Sequence, residues 1–443
     1  METTFLQVFG LLMISILIII LLTVKYKMHA FFALSIACAV MGFGIGLPAD
    51  AVINTMKQGF GHIMQSLGFI IVFGTVLGVI LEHTGCTNAM ASFILKRTGE
   101  KKSALAMNIT GLLVGLPIFC DSGYIVLSGL NNQLAQRSKL PMPFMATALA
   151  AGLYSVHCLI PPHPGAAAAA GALNVDLGRL ILWGIIVAIP ASVAGYTWGA
   201  KYAGKKLSAA NAPIVSKDGE YSPMPSSLQA FLPVLMPIIL IAGGAFATIE
   251  KNQLLIWQIL SVAGNPVIAL CIGILLTIPV LYKLPKGKIS RLLQDGVEKA
   301  GGILVIIGAG GAFGAILNAT NIGNHLGDNL PLEKIGIFFP FLLTSLLKTA
   351  QGSSTVAVIT AASIVQPLLA ALGLDTESGR LLAILSMGAG SMMISHANDA
   401  YFWVISKFSG VEMKTMLRVY SVATVWMGAV ALIMVYLLSL IID

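Results

Sequence analysis

Apolar runs long enough to cross a bilayer recur from one end of this 443-residue chain to the other, and they leave no alternative to a polytopic membrane protein. Charge supports the reading. Only 10% of residues are charged against roughly 25% in a soluble domain, so a water-soluble fold of this length could not cover its surface. A soluble enzyme, a nucleic-acid reader and a disordered chain are excluded together. The net charge of +8 then reports orientation rather than affinity for nucleic acid. The five cysteines have no paired spacing, which argues against a disulfide framework or zinc motif. The opening METTFLQ has no basic n-region and no small-residue cleavage site, so Leu6 to Thr23 is expected to be a retained first span.

About 20 apolar residues make one crossing. Crossings are expected near 6–24, 28–47, 66–82, 143–173, 178–202, 227–248, 264–282, 301–318, 380–405 and 413–441. Residues 103–135 and 333–370 instead hold two shorter apolar halves around a polar break. The breaks read Phe-Cys-Asp-Ser-Gly (119–123) and Gln-Gly-Ser-Ser-Thr (351–355). Each stretch is two crossings or one re-entrant hairpin. Irregular backbone at membrane depth needs protein or a wet cavity around it, so hairpin tips here imply a buried, hydrated site. With the N-terminus outside and both breaks as hairpin tips, 20 of the 26 Lys and Arg residues fall inside, as the positive-inside rule requires. Two full crossings per stretch leave the same count. The C-terminus then also lies outside.

The chain repeats itself. Gly74 to Leu81 resembles Gly310 to Leu317, 236 residues later; Asp121-Ser122 returns as Ser353-Ser354, 232 later; and His163 returns as His396, 233 later. Five crossings and a hairpin per half is an odd number, so the second half enters from the opposite face, a common transporter plan. The expected division is a first repeat over 1–202, a polar inside linker over 203–226 and an inverted second repeat over 227–443. The fold class is thus all-α: about ten transmembrane helices, two opposed re-entrant hairpins and broken helices.

Ionisable groups at membrane depth cost several kcal/mol by the lower estimates, so the few present mark function. Asp121 is either a proton-accepting carboxylate or an N-cap, and Ser122 beside it can cap as well. Gln351, Gly352, Ser353, Ser354 and Thr355 at the second tip exceed what capping needs. A helix starting there offers free N–H groups and a positive dipole end to a carboxylate, and Gly352 lets a ligand approach the backbone. Pro161-Pro162-His163-Pro164-Gly165 cannot be helical, and His163 either serves solute or satisfies the broken backbone. Ser395-His396-Ala397-Asn398-Asp399 breaks the symmetry-related span and can read hydroxyls. Lys348 is expected to snorkel to the interface as an anchor rather than meet a substrate. The aromatic run Tyr401, Phe402, Trp403 reads as packing.

These breaks resemble the gluconate permease (GntP) family of sugar-acid and hydroxy-acid transporters. The resemblance rests on Val156-His157-Cys-Leu-Ile-Pro-Pro-His163-Pro-Gly165, Gly308-Ala-Gly-Gly-Ala-Phe313, Gln351-Gly-Ser-Ser-Thr-Val-Ala357 and Ser395-His-Ala-Asn-Asp399 followed by Phe402-Trp403, in colinear order. It implies uptake of gluconate, fructuronate, another sugar acid or D-serine, coupled to protons, with an elevator-like motion. The tip Cys120-Asp121-Ser122-Gly123 departs from relatives, and the Ser122 hydroxyl bears on substrate choice. The expected site is therefore Asp121, Ser122, Gly123, His163, Gln351 to Thr355, His396, Asn398 and Asp399. Asp121 leads and His163 follows as proton carrier. No cofactor is expected beyond the co-transported proton, with sodium as runner-up. The partners implied are a small sugar-acid anion and the lipid bilayer of an inner membrane, with a homodimer by fold analogy and no nucleic acid. A passive channel would use the same path without coupling. An enzyme is disfavoured, since neither a His-Glu-x-x-His nor a Gly-x-Ser-x-Gly motif is present.

Overall fold

The computed structural model describes residues 4–99, 102–206, 225–249, 255–323, 325 and 331–442, and regular structure among them is entirely helical. The first half runs α1 (Phe5–Val24), α2 (Ala30–Gly44), α3 (Ala49–His83), α4 (Cys86–Thr98), α5 (Ser103–Val114), α6 (Cys120–Arg137), α7 (Met142–Leu159), α8 (Pro164–Leu173) and α9 (Leu177–Lys206). The second runs α10 (Ser227–Ile249), α11 (Leu255–Ala263), α12 (Pro266–Leu276), α13 (Ile278–Leu281), α14 (Lys286–Ala319), α15 (Phe338–Gln351), α16 (Ser354–Val365), α17 (Glu377–Ser391), α18 (Ala400–Ser409), α19 (Met413–Met416) and α20 (Val422–Ser439). The expected linker over 203–226 lies largely outside the described residues, and α9 already occupies 203–206.

Among the described residues, and with α7 and α8 taken together as one span over 142–173, seven helices are long and apolar enough to span, or eight if the pair 255–263 and 266–281, bent by 79°, counts as one. The other two expected crossings differ. The one at 28–47 is the 15-residue α2, about 22 Å long and short of a ~30 Å hydrocarbon core. The one at 380–405 is broken, because α17 ends at Ser391 and α18 begins at Ala400. The spans read at 66–82 and 301–318 are only the apolar halves of α3 and α14, which continue for 35 and 34 residues. Hydropathy misses their other halves because Asp50, Lys57, Lys288, Arg291 and Asp295 make them amphipathic without breaking the helix.

α3 and α14 pack along their length through glycine. A Cβ on Gly59 would lie 2.4 Å from the Gly311 carbonyl oxygen, and one on Gly296 would lie 2.9 Å from Val76 Cα, so the backbones themselves touch. The pairing of 59 with 311 and 76 with 296 makes the two helices antiparallel. α7 is buried at every residue, as an all-round apolar helix at the centre of a bundle should be.

Both polar breaks sit at hairpin tips. The feet of the first hairpin meet where Ser103 Oγ donates to Ser138 Oγ at 3.0 Å. The feet of the second meet where Gly373 packs 3.3 Å (measured from its virtual Cβ) from Glu333. α5 runs parallel to α7, with Asn108 Nδ2 donating to Ala148 O and Gly115 facing Val156. α15 is likewise parallel to α17, since Ser386 Oγ reaches Ile337 O while Gly390 abuts Phe341 O and Thr344. The hairpin, the helix packed parallel to its first arm and the broken span after it thus have the same arrangement in both halves.

Candidate functional site

Four helix N-termini converge on one cavity of about 500 Å³. They belong to the descending arms of the two hairpins, α6 and α16, and to the helices after the two breaks, α8 and α18. Cys120, Asp121 and Ser122 line it from α6, Pro164 from α8, Ser353 to Val356 from α16, and Asn398 to Tyr401 from α18. Each helix start leaves N–H groups unpaired and carries the positive end of a dipole, so the cavity favours an anion before any side-chain charge is counted. The sequence places these starts there by breaking the chain with Pro117, Pro161, Pro162 and Gly352, and Ser353 and Asp399 serve as N-caps.

The capping differs from expectation at the first tip. Phe119 is the N-cap of α6 and makes no side-chain cap, so Asp121 sits in the first turn with its carboxylate at the cavity. Its recorded side-chain contact is Cys120 Sγ, which donates at 3.2 Å, and none of the ion pairs among the described residues includes it. At the second tip Ser353 does cap, accepting from Val356 N.

Lys348 does not snorkel. It is fully buried, and its Nζ donates to Asp399 Oδ2 at 2.7 Å and to Gly352 O at 2.5 Å. Asp399 also accepts from Ser395 Oγ and from Tyr401 N. Around this pair, His396 Nε2 donates to Thr349 O, and Asn398 Nδ2 donates to Thr349 O and Ala350 O. The second break is thus sewn to the hairpin end. Three residues were expected in the cavity and lie outside its lining. His396 is turned to the backbone. Gly123 faces Leu153, whose Cδ2 would lie 2.8 Å from an added Cβ. His163 is buried behind His157, ring centroids 4.7 Å apart, and its Nε2 donates to Gly115 O.

Four aromatic or titratable lining residues beyond the two tips are not among the expected site residues, and the sequence reads Tyr401 as packing. Tyr154 and His157 come from α7, Tyr401 from α18 and Lys299 from α14, where Lys299 lies 3.7 Å from Glu82 near the exposed edge. Only the aromatic and titratable character of these residues within apolar helices marks them in the sequence. Three lining side chains carry buried polar atoms without a partner among the described residues: both amide atoms of Gln351, Nδ1 of His157 and Oδ1 of Asn398. Buried polar atoms are normally satisfied, so these are positioned for a solute or for water. The set reads donors, acceptors and a carboxylate of a small polar anion.

A membrane-spanning bundle with opposed hairpin tips around a polar, anion-favouring cavity defines a transporter. The fold agrees. The solved YdaH transporter of Alcanivorax borkumensis, described as having an unusual topology, superposes with a TM-score of 0.67 at 18% identity over 89% of this chain and 90% of that one.

The chain belongs to the GntP permease family, whose sequence pattern it matches over residues 7–441. It is 34% identical to an uncharacterized permease of Haemophilus influenzae over 97% of this chain and 92% of that protein. It is 31% identical to a gluconate permease of Pseudomonas aeruginosa over 97% of each. It is a multi-pass membrane transporter and not an enzyme.

Proposed function

We propose that this permease is a secondary active transporter of the cytoplasmic membrane that imports gluconate or a closely related sugar acid with a proton. The observation that carries the reading is the convergence of four helix N-termini on a cavity whose polar groups await partners. The helix starts at Ser122 and at Ser353 to Thr355 take the carboxylate, while Gln351, Asn398 and His157 take hydroxyls.

Charge balance supports proton coupling at Asp121. Lys348 compensates Asp399, so an ionised Asp121 is the uncompensated charge of the buried site. An incoming anion would double that negative charge in a poorly screened space, and protonation of Asp121 removes the penalty. Anion and proton therefore favour each other's binding. The membrane potential asks for the same coupling, because an uncoupled anion moves inward against about 2.3 kcal/mol per charge per 100 mV. His157 lines the cavity and replaces His163 as the second candidate. The two hairpins and two broken spans form the moving unit of an elevator-like cycle, with the Lys348–Asp399 pair holding one tip to one break.

Uptake of labelled gluconate into proteoliposomes under a pH gradient, a sodium gradient and no gradient tests the reading. Accumulation is expected with inward protons alone. Asp121→Asn should keep exchange but lose accumulation. Accumulation by that variant at the wild-type level would remove Asp121 as carrier. Accumulation under sodium would install the runner-up ion, and equilibration without accumulation would mean a passive facilitator. D-serine, the solute in the name of a relative 29% identical, is the second solute to assay.

A further inference from the structure

A second hydrophilic cleft lies in series with the first cavity along the same helices. α14 lines the first cavity with Lys299, Ile303 and Ile306 and the second with Gly310 to Asn318. α16 lines the first with Ser353 to Val356 and the second with Ser363, followed by Gln366 just past its end. α8 contributes Pro164 to one, and Ala172 with the residue after its end, Asn174, to the other. At 1.5 Å per residue, the four-residue step from Ile306 to Gly310 puts their near edges about 6 Å apart along α14, and the second cleft runs on to Asn318. In the wall of the second cleft, on the side toward the first cavity, Ser363 Oγ donates to Gly310 O at 2.7 Å, and Ile359 sits against Gly310 where a Cβ would be.

The cleft has two lobes of about 310 and 240 Å³, which share Ala172, Asn174, Asn318 and Gln366. Gln58 and His62 complete one lobe, and Arg380 and Asp375 the other. Arg380 holds a buried Nε without a partner among the described residues. Asn318 Nδ2 donates to Gln366 Oε1, which leaves Asn318 Oδ1 and Gln366 Nε2 with hydrogen-bonding capacity. Asn174 is fixed in the left-handed region at φ 53° as the C-cap of α8, and the exposed side chains of Gln58, His62, Asn174 and Asn318 open this end to solvent. A guanidinium beside three carboxamides matches a carboxylate with hydroxyls, since Arg presents a planar fork of donors.

We propose that this cleft is a separate binding site for a small hydroxylated carboxylate. Arg380 takes its carboxylate, Asn174, Asn318 and Gln366 take its hydroxyls, and the solute waits there before it reaches the main cavity. The inference rests on the cargo reading above. Asp375 in the same lobe is the group an ammonium would face, so gluconate and D-serine are separate arms of the test.

Transport is measured in right-side-out and inside-out vesicles with the full chain. Arg380→Gln should raise KM about tenfold for solute presented from one face only, the loss expected for one charge-assisted contact, with kcat unchanged. A KM unmoved from both faces, or raised equally from both, would overturn the site. Independently, the Asn318→Cys variant is exposed to a maleimide with and without gluconate or D-serine. Protection by either supports the cleft, and protection by neither overturns it. If the wild-type chain moves neither solute yet the solutes protect, the cleft stands and the cargo reading fails.

Discussion

In the first half of the molecule the residue that caps the helix after the break, His163, reaches the hairpin through one neutral contact to Gly115 O. In the second half the corresponding cap, Asp399, reaches it through a fully buried lysine. The scaffold is the same: a hairpin arm ends, a broken span begins a new helix, and a cap residue joins them. The chemistry is not. One latch is a histidine on a carbonyl; the other is an ion pair backed by Ser395, Gly352 and Tyr401 N. The difference teaches how a repeated fold divides labour. The half with the charged latch pairs its carboxylate with a cation, while the half with the neutral latch leaves its nearby carboxylate, Asp121, without an ion pair among the described residues.

The sharpest way to break this comparison is at Lys348. Lys348→Met keeps length and removes charge, leaving Asp399 buried without its cation. A cost of about 3–5 kcal/mol is expected, read as a large fall in thermal unfolding temperature in detergent and in the yield of folded protein. Adding Asp399→Asn to it should recover most of the loss, because the uncompensated charge is then gone. A single variant as stable as wild type would mean that the pair holds nothing together.

Gly352 comes next in size. It stands at φ +84°, and a Cβ there would lie 2.2 Å from the Asn398 carbonyl oxygen, which is backbone and cannot swing aside. Gly352→Ala therefore combines left-handed strain of about 1–3 kcal/mol with a push that separates tip from break. Gly123→Ala, at the opposite tip, meets only the end of Leu153 and should cost less. Unfolding temperatures and gluconate uptake measured side by side should show Gly352→Ala as the more damaging. Equal effects would erase the distinction between a rigid tip and an adaptable one.

The parts legible in the sequence are those written in local chemistry. Prolines and glycines announce both breaks, and the density of polar residues at 351–355 marks a tip beyond what capping needs. Asp121 and Asp399 stand out because charge is rare in such a chain. What was not legible depends on contacts made far along the chain. Lys348 and Asp399 are 51 residues apart, and nothing near Lys348 shows that its ammonium turns inward rather than to the interface. His157 lies in an unbroken apolar helix, while His163 lies among prolines, so the sequence draws the eye to the one of a touching pair that lies off the cavity wall. The length of α3 and α14 is hidden for another reason: hydropathy reports which part of a helix meets lipid, not where the helix begins.

The smallest effect expected tests the neutral latch. His163→Ala removes the donor to Gly115 O and leaves that buried carbonyl unpaired, a cost of about 1–3 kcal/mol and less than the loss at Lys348. Because His163 lies behind His157 and not on the cavity wall, the KM for gluconate should move little. His157→Ala removes a lining group with an unpartnered Nδ1, and there KM should rise while the fold is retained. Unfolding temperature and uptake kinetics on the two variants separate the roles. If His163→Ala raised KM and His157→Ala did not, the histidine behind the wall would be the one the solute feels, and the first half would have to move its tip before binding.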